Sequence, residues 1–346
     1  MKLFIYGNPA DCTVLLSKQI ERDGKDHGVE CHTKFILPNR WHYPLFDETD
    51  FHELKNSDAI VTFGTWGSNH PSRQWNQENA SRNKQGLKDL VNQFAEKMAK
   101  GFDKPHIVTE TGTYSRLRAN YVFPTSKGRP RYYRMGLNHW VYGKAQWLDK
   151  KYFDFDRHTQ FKDQFEINYE VSVPRTHAWQ NNTTKNGKIF IIPGLEHDPT
   201  STVRPDLWVK ETINELRNHT KRKIVIKSHP LSEIDFVGIA DEYQSVSVSK
   251  PGRLQDFYDQ MYCAVIDNST SVFELVDYGI PVFCDRFSFG AGLGNIDLSH
   301  INEIKYASKS QYTNWEVAMS HTEFSVSEWN SPEIYTYIKK LINYRK

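Results

Sequence analysis

Two short polar clusters, each at the end of an apolar run, carry residue types able to hold a phosphate. Lys227-Ser228-His229-Pro230 follows "KIVI", and Asn268-Ser269-Thr270-Ser271 follows "CAVID". A Lys and a His at a strand end can neutralise phosphate charge. The same tetrapeptide also fits a proline-kinked turn with a solvated lysine. The second cluster opens an amphipathic run, "SVFELVDYG", and so falls at a helix start. Unpaired N–H groups and the positive end of the helix dipole favour an anion there, and small side chains let it approach. Spacing alone fits a plainer reading as well, with Ser271 as N-cap and Glu274 completing a capping box. Asn268, Ser269 and Thr270 then exceed what a cap needs. A third loop, Pro193-Gly194-Leu195-Glu196-His197-Asp198, follows "KIFII". Gly194 permits close backbone approach, although any turn uses Gly and Asp.

Proton transfer needs a base, and Glu110 at the end of "PHIVTE" is the first candidate. The same residue fits a helix cap or an ion pair with Arg116 or Arg118. Asp149, His139 and Asp198 are weaker candidates. In the loop Gly64-Thr65-Trp66-Gly67, Trp66 can stack on a base or sugar, or simply fill a core. The segment 116–134 carries Arg116, Arg118, Lys127, Arg129, Arg131 and Arg134 with no acid, interleaved with Tyr121, Phe123, Tyr132 and Tyr133. Cations among stackable rings suit a nucleic-acid strand, and a solvated basic loop is the alternative.

Strands and helices must place these residues. "KLFIYG", "ECHTKFI", "DAIVTFGTWG" and "PHIVTETG" read as strands, separated by helices at 13–22 and across "KQGLKDLVNQFAEKMAKGF". Alternation of this kind predicts a parallel, doubly wound sheet. Residues 111–180 lack clean periodicity and read as loops and short helices. The alternation restarts with strand "KIFIIPG", helix "DLWVKETINELRNHT", strand "KRKIVI", helix "RLQDFYDQM", then "CAVID", helix and "IPVFC". Two more helices, "NWEVAMSHTEF" and "SPEIYTYIKKLINYR", form the tail. The expected domains are 1–180, 181–310 and a helical tail, 311–346, packing back on the first. Two doubly wound domains imply a cleft lined by the loops after the strands.

The chain has 346 residues, enough for two cores, and its 14% aromatic content argues against disorder. A net charge of +2 neither demands nor excludes an anionic partner, so local clustering must decide. Cys12, Cys31, Cys263 and Cys284 form no C-x-x-C and no Cys/His cluster with metal spacing, which fits reduced thiols in a cytoplasmic protein. "MKLFIYGN" reads as a core strand rather than a signal peptide, and no apolar run is long enough to insert in a membrane.

Lys227-x-His229-Pro230 followed by "LQDFYDQMYCAVIDNSTSVFELVDYGIPVF" resembles the donor-binding domain of GT-B glycosyltransferases. It is most similar to a group found in tailed bacteriophages and capsule-polysaccharide gene clusters. "HIVTETGTYSR", "YYRMGLNHW" and the tail extend the resemblance diffusely over most of the chain. Two positions depart from the group: Lys227 stands where Arg is expected, and the Leu195-Glu196 loop lacks its Gln. The resemblance implies an α/β fold of two Rossmann-like domains facing across a cleft, the first binding the acceptor and the second the donor. It implies transfer of a sugar from a nucleotide-sugar substrate, UDP-linked by expectation, to a hydroxyl. Lys227 and His229 would meet the diphosphate, with His229 also serving catalysis. Asn268, Ser269, Thr270 and Ser271 would bind phosphate, Gly194 would line the donor site, and Glu274 would bond ribose or sugar hydroxyls. No Asp-x-Asp motif is present, so a metal-independent reaction without cofactor is expected, with inversion. Bacteriophage members glycosylate hydroxymethylated pyrimidines, so DNA is the expected acceptor, held by Trp66 and the basic segment. A glycan is the runner-up, for which "YIKKLINYRK" is a candidate membrane-surface helix. A non-catalytic nucleotide- or DNA-binding protein is the alternative of another class. Oligomeric state is not readable.

Overall fold

The structure, a computed structural model, describes residues 1–7, 12–35, 46–63, 95, 97–111, 132–137, 156, 159, 184–195, 204–230, 232–267, 269, 271–284, 288–293, 295–321 and 323–344. The chain forms two compact units. One comprises Met1–Trp140, Ala145–Phe165 and Met319–Lys346; the other comprises Val141–Lys144 and Glu166–Ala318.

The first unit begins with β1 (Lys2–Gly7), α1 (Cys12–Asp23), β2 (Glu30–Phe35), α2 (Glu48–Asn56), β3 (Ala59–Phe63), β4 (His106–Thr111) and β5 (Tyr132–Leu137). Leu3, Phe4, Ile5 and Tyr6 are all buried, as a parallel strand covered on both faces requires. Alternation divides them. Leu3 and Ile5 join Val61, Ile107, Met135 and α1 residues Leu16 and Ile20 in one core cluster. Phe4, Tyr6 and Ile60 join Leu54 of α2 with Ala95 and Ala99 in another. Ala95 and residues 97–101 are helical, while 84–94 and 96 of that expected helix lie outside the described residues.

The second unit contains β6 (Lys188–Ile192), α3 (Pro205–His219), β7 (Ile224–Ile226), α4 (Phe236–Asp241), β8 (Val246–Val248), a 3-10 helix (Leu254–Gln260), β9 (Met261–Ile266), α5 (Ser271–Tyr278) and β10 (Val282–Cys284). Its five strands are all parallel in the order β8-β7-β6-β9-β10. The chain winds outward from β6 through β7 to β8, then returns to the other side for β9 and β10. The order therefore reverses between β6 and β9. Ile189, Ile191, Ile224, Ile226, Cys263 and Val265 pack against α3 and α4. Phe190, Val225, Ala264 and Ile266 alternate with them and point to the other face. Two glycines are required here. A Cβ on Gly187 would stand 2.6 Å from Tyr262 N, where β6 starts against β9. Gly279, at φ 83°, ends α5 in the left-handed region before β10.

Helix α6 (Lys309–His321) leads to β11 (Glu323–Ser325), α7 (Val326–Trp329) and α8 (Glu333–Tyr344). β11 completes the first sheet, ordered β11-β5-β4-β3-β1-β2. This corrects two expectations. Within 111–180, Tyr132–Leu137 is a strand, and the first sheet is mixed because β5 runs antiparallel to both of its neighbours, β4 and β11. Likewise, the helix read across "NWEVAMSHTEF" stops at His321, and its last two residues open β11. The apolar stripe of α8, with Ile334, Tyr335, Ile338 and Ile342, is buried against the first sheet and α1. That face is therefore spent on the core and is not presented to a membrane surface. No described helix is long and apolar enough to cross a membrane.

Candidate functional site

In open α/β sheets, ligands sit beyond the carboxyl ends of strands where the order reverses. In the second unit that place lies beyond β6 and β9, with β7 alongside. Ile191 is in register with Ile226 and Val265, and Ile192 with Ile266. Lys227 N extends the ladder by donating to Ile191 O at 2.9 Å. Lys227, Ile192 and Ile266 thus stand level across three strands, with β7 and β9 roughly 10 Å apart at two strand spacings. The next residues of each strand are the three loops singled out in the sequence. Gly194 is half-buried beyond β6, His229 is exposed beyond β7, and half-buried Ser269 follows β9.

Lys227 is 9% exposed. Its ammonium donates to Ser228 O at 3.3 Å, its one hydrogen bond among the described residues. The Phe257 ring lies 5.9 Å from Nζ. Burial pulls the lysine's pKa below its ordinary value, and the charge of Asp256 offsets part of that fall. A buried ammonium with donors to spare is costly, and an arriving anion would relieve the cost.

The start of α5 differs from the spacing-based expectation. Ser271 is the helix's first residue rather than its cap. Ser271 N donates to Ser269 Oγ at 3.2 Å, Ser269 Oγ donates to Ser271 Oγ at 2.9 Å, and Val272 N donates to Ser269 O at 3.2 Å. Ser269 therefore shapes the turn, and Ser271 stands inside the helix rather than at the cap position of the expected Ser271–Glu274 box. Glu274, one turn into α5 and half-buried, accepts from Tyr258 Oη at 3.4 Å and Gln255 Nε2 at 3.5 Å. Asn268 and Thr270 lie outside the described residues.

In the first unit, Glu110 lies in β4, one residue before its end. Its cross-strand partner is Arg134 of β5, which is in turn registered opposite Glu323 of β11. Arg134 thus occupies a row between two acidic positions. Trp66, Arg116, Arg118, Lys127, Arg129, Arg131, His139, Asp149 and Asp198 lie outside the described residues. No group of three or more His, Cys, Asp or Glu able to hold a metal occurs among the described residues.

Sequence reasoning missed Gln255, Phe257 and Tyr258, reading "RLQDFYDQM" only as a helix. Its position between the Lys227 and Asn268 clusters was the available signal.

No protein-family model and no curated protein matches this chain. Among solved structures it is similar to Thermosulfurimonas dismutans KpsC, a beta Kdo 2,7 transferase. That match has 15% identity and a TM-score of 0.50 and covers 100% of both chains. It is also similar to E. coli heptosyltransferase WaaC with ADP-2-deoxy-2-fluoro heptose, at 12% identity and a TM-score of 0.28, over 82% of this chain and 88% of that one. The fold is that of the GT-B glycosyltransferases, with two Rossmann-like units.

Proposed function

We propose that this protein is a glycosyltransferase whose second unit holds the diphosphate of a nucleotide-sugar. The observation that carries the reading is Lys227: buried, charged, hydrogen-bonded to a single carbonyl among the described residues, and level with the strand ends where the order reverses. The adjacent start of α5 brings the positive end of a helix dipole. The sequence resemblance and the GT-B fold support the same reading.

In this reaction the acceptor hydroxyl gives its proton to Glu110. Its oxygen bonds to the anomeric carbon while the bond from that carbon to the diphosphate breaks. The electron pair leaves with the nucleoside diphosphate. Lys227, His229 and the turn at Ser269–Ser271 meet the growing charge, a metal-free arrangement. Glu274 bonds donor hydroxyls. A single displacement with one base gives inversion.

For the acceptor we propose hydroxymethylated pyrimidine in DNA, supported by the bacteriophage side of the resemblance and the basic, aromatic segment 116–134. A glycan acceptor is the second reading, because the resemblance extends equally to capsule-polysaccharide enzymes. The test is to incubate the protein with hydroxymethyl-pyrimidine DNA, unmodified DNA and a glycan panel, each with a set of nucleotide-sugars including UDP-linked ones. A hexose or pentose mass shift on digested nucleosides is expected. A shift only on glycans overturns the DNA acceptor. Nucleotide binding with no transfer to anything overturns the enzyme.

A further inference from the structure

Glu274 and Lys227 come from different crossovers, yet one short segment touches both. Phe257 lies 5.9 Å from Lys227 Nζ and packs its ring 5.8 Å from Phe190, on the same sheet face. Its neighbour Tyr258 is buried and reaches Glu274 Oε2 with its hydroxyl at 3.4 Å. Gln255 Nε2 reaches the same oxygen at 3.5 Å. The ring of Tyr258 is locked against Tyr278, with centroids 4.3 Å apart. Tyr278 stands one turn beyond Glu274 on the same side of α5.

A glutamate on a helix surface ordinarily samples several rotamers, and binding a ligand hydroxyl must first select one. A hydroxyl fixed by a packed ring makes that selection before the ligand arrives, which lowers the ordering cost. We propose that Tyr258, assisted by Gln255, is a positioning residue that holds Glu274 for the ribose or sugar hydroxyls of the donor. Discrimination between a nucleoside diphosphate and a bare diphosphate then arises in the 3-10 helix Leu254–Gln260. This inference rests on the nucleotide-sugar reading.

The test uses the full chain and calorimetric binding of UDP, ADP, CDP and GDP, with inorganic pyrophosphate read by competition. Tyr258→Phe keeps the ring and removes the hydroxyl. It should weaken the preferred nucleoside diphosphate about 3- to 10-fold, the scale of one lost hydrogen bond, and leave pyrophosphate unchanged. Lys227→Met should weaken both ligands. Tyr258→Phe combined with Glu274→Gln should be no weaker than Glu274→Gln alone, because the tyrosine acts through the glutamate. Where pyrophosphate competes too weakly to measure, this double-mutant cycle alone decides. Unchanged nucleotide affinity in Tyr258→Phe, equal losses for both ligands, or additive losses in the double variant would overturn the inference while sparing the donor site. Absence of nucleoside diphosphate binding by the unaltered protein would instead remove the reading beneath it.

Discussion

A lysine buried beside a phenylalanine ring, with one carbonyl to bond among the described residues, is a poor choice for stability and a good one for binding. Lys227→Met should therefore leave the melting temperature unchanged or raise it, while nucleotide affinity falls at least tenfold. A drop in both would mark the lysine as structural. The depressed pKa adds a pH signature. An anion stabilises the protonated form, so affinity stays level below the lowered pKa and declines as pH rises through it. That decline should begin below the ordinary lysine range and disappear in Lys227→Met. Glu110 was legible as a candidate base from its place near a strand end. Its pairing opposite Arg134 was not, because β5 gave no alternating pattern. Glu110→Gln should cut turnover about 10²- to 10⁴-fold with donor affinity retained; substantial remaining turnover would assign the pair a purely structural role.

Among the elements, the strand ends bearing Lys227, His229 and Ser269 were read correctly because buried parallel strands leave unbroken apolar runs. Helix starts were less legible. Four consecutive small polar residues offer several equivalent caps, and only the structure shows that Ser271 already lies inside the helix and that Ser269 accepts its N–H. Ser269→Ala removes the acceptor of the Ser271 N–H and should cost about 1 kcal/mol in chemical denaturation, whereas Ser271→Ala keeps that N–H and should cost clearly less. Helix α2 passed unread, although it carries a well-built start. Asp50 and Asp47 form its capping box, and Asp50 Oδ1 lies 2.9 Å from His32 Nε2 while Oδ2 accepts from Lys34 Nζ. Burial pushes the Asp50 pKa up, but the bonds from Lys34, His32 and the Asp47 N–H prevail and hold it below the ordinary value. Its contribution is thus complete above the ordinary carboxylate pKa and is lost as pH falls through the lowered one. Asp50→Asn should lower stability at neutral pH and flatten the acid side of a pH-melting profile.

Across the complete chain, the tail is an integral part of the first unit. β11 pairs with β5, Tyr335 Oη donates to Asp23 Oδ1 at 2.7 Å, and Trp329 is fully buried. Trp329→Ala should cost about 3–5 kcal/mol, measured by urea unfolding; a surface-like loss below 1 kcal/mol would mean the tail is merely appended. The alternation of apolar runs with amphipathic ones was enough to determine an α/β chain with two Rossmann-like units, because local burial patterns record whether a strand is covered on one face or both. The same local signal placed phosphate-type residues at strand ends. It carried no information about which strands become neighbours. That information lies in pairings between residues far apart in sequence: Tyr133 with Phe324, Ile192 with Ile266, and Tyr258 with Glu274. Folding decides such pairings through the summed fit of whole surfaces, which is why the mixed edge of the first sheet and the support beneath Glu274 emerged only in three dimensions.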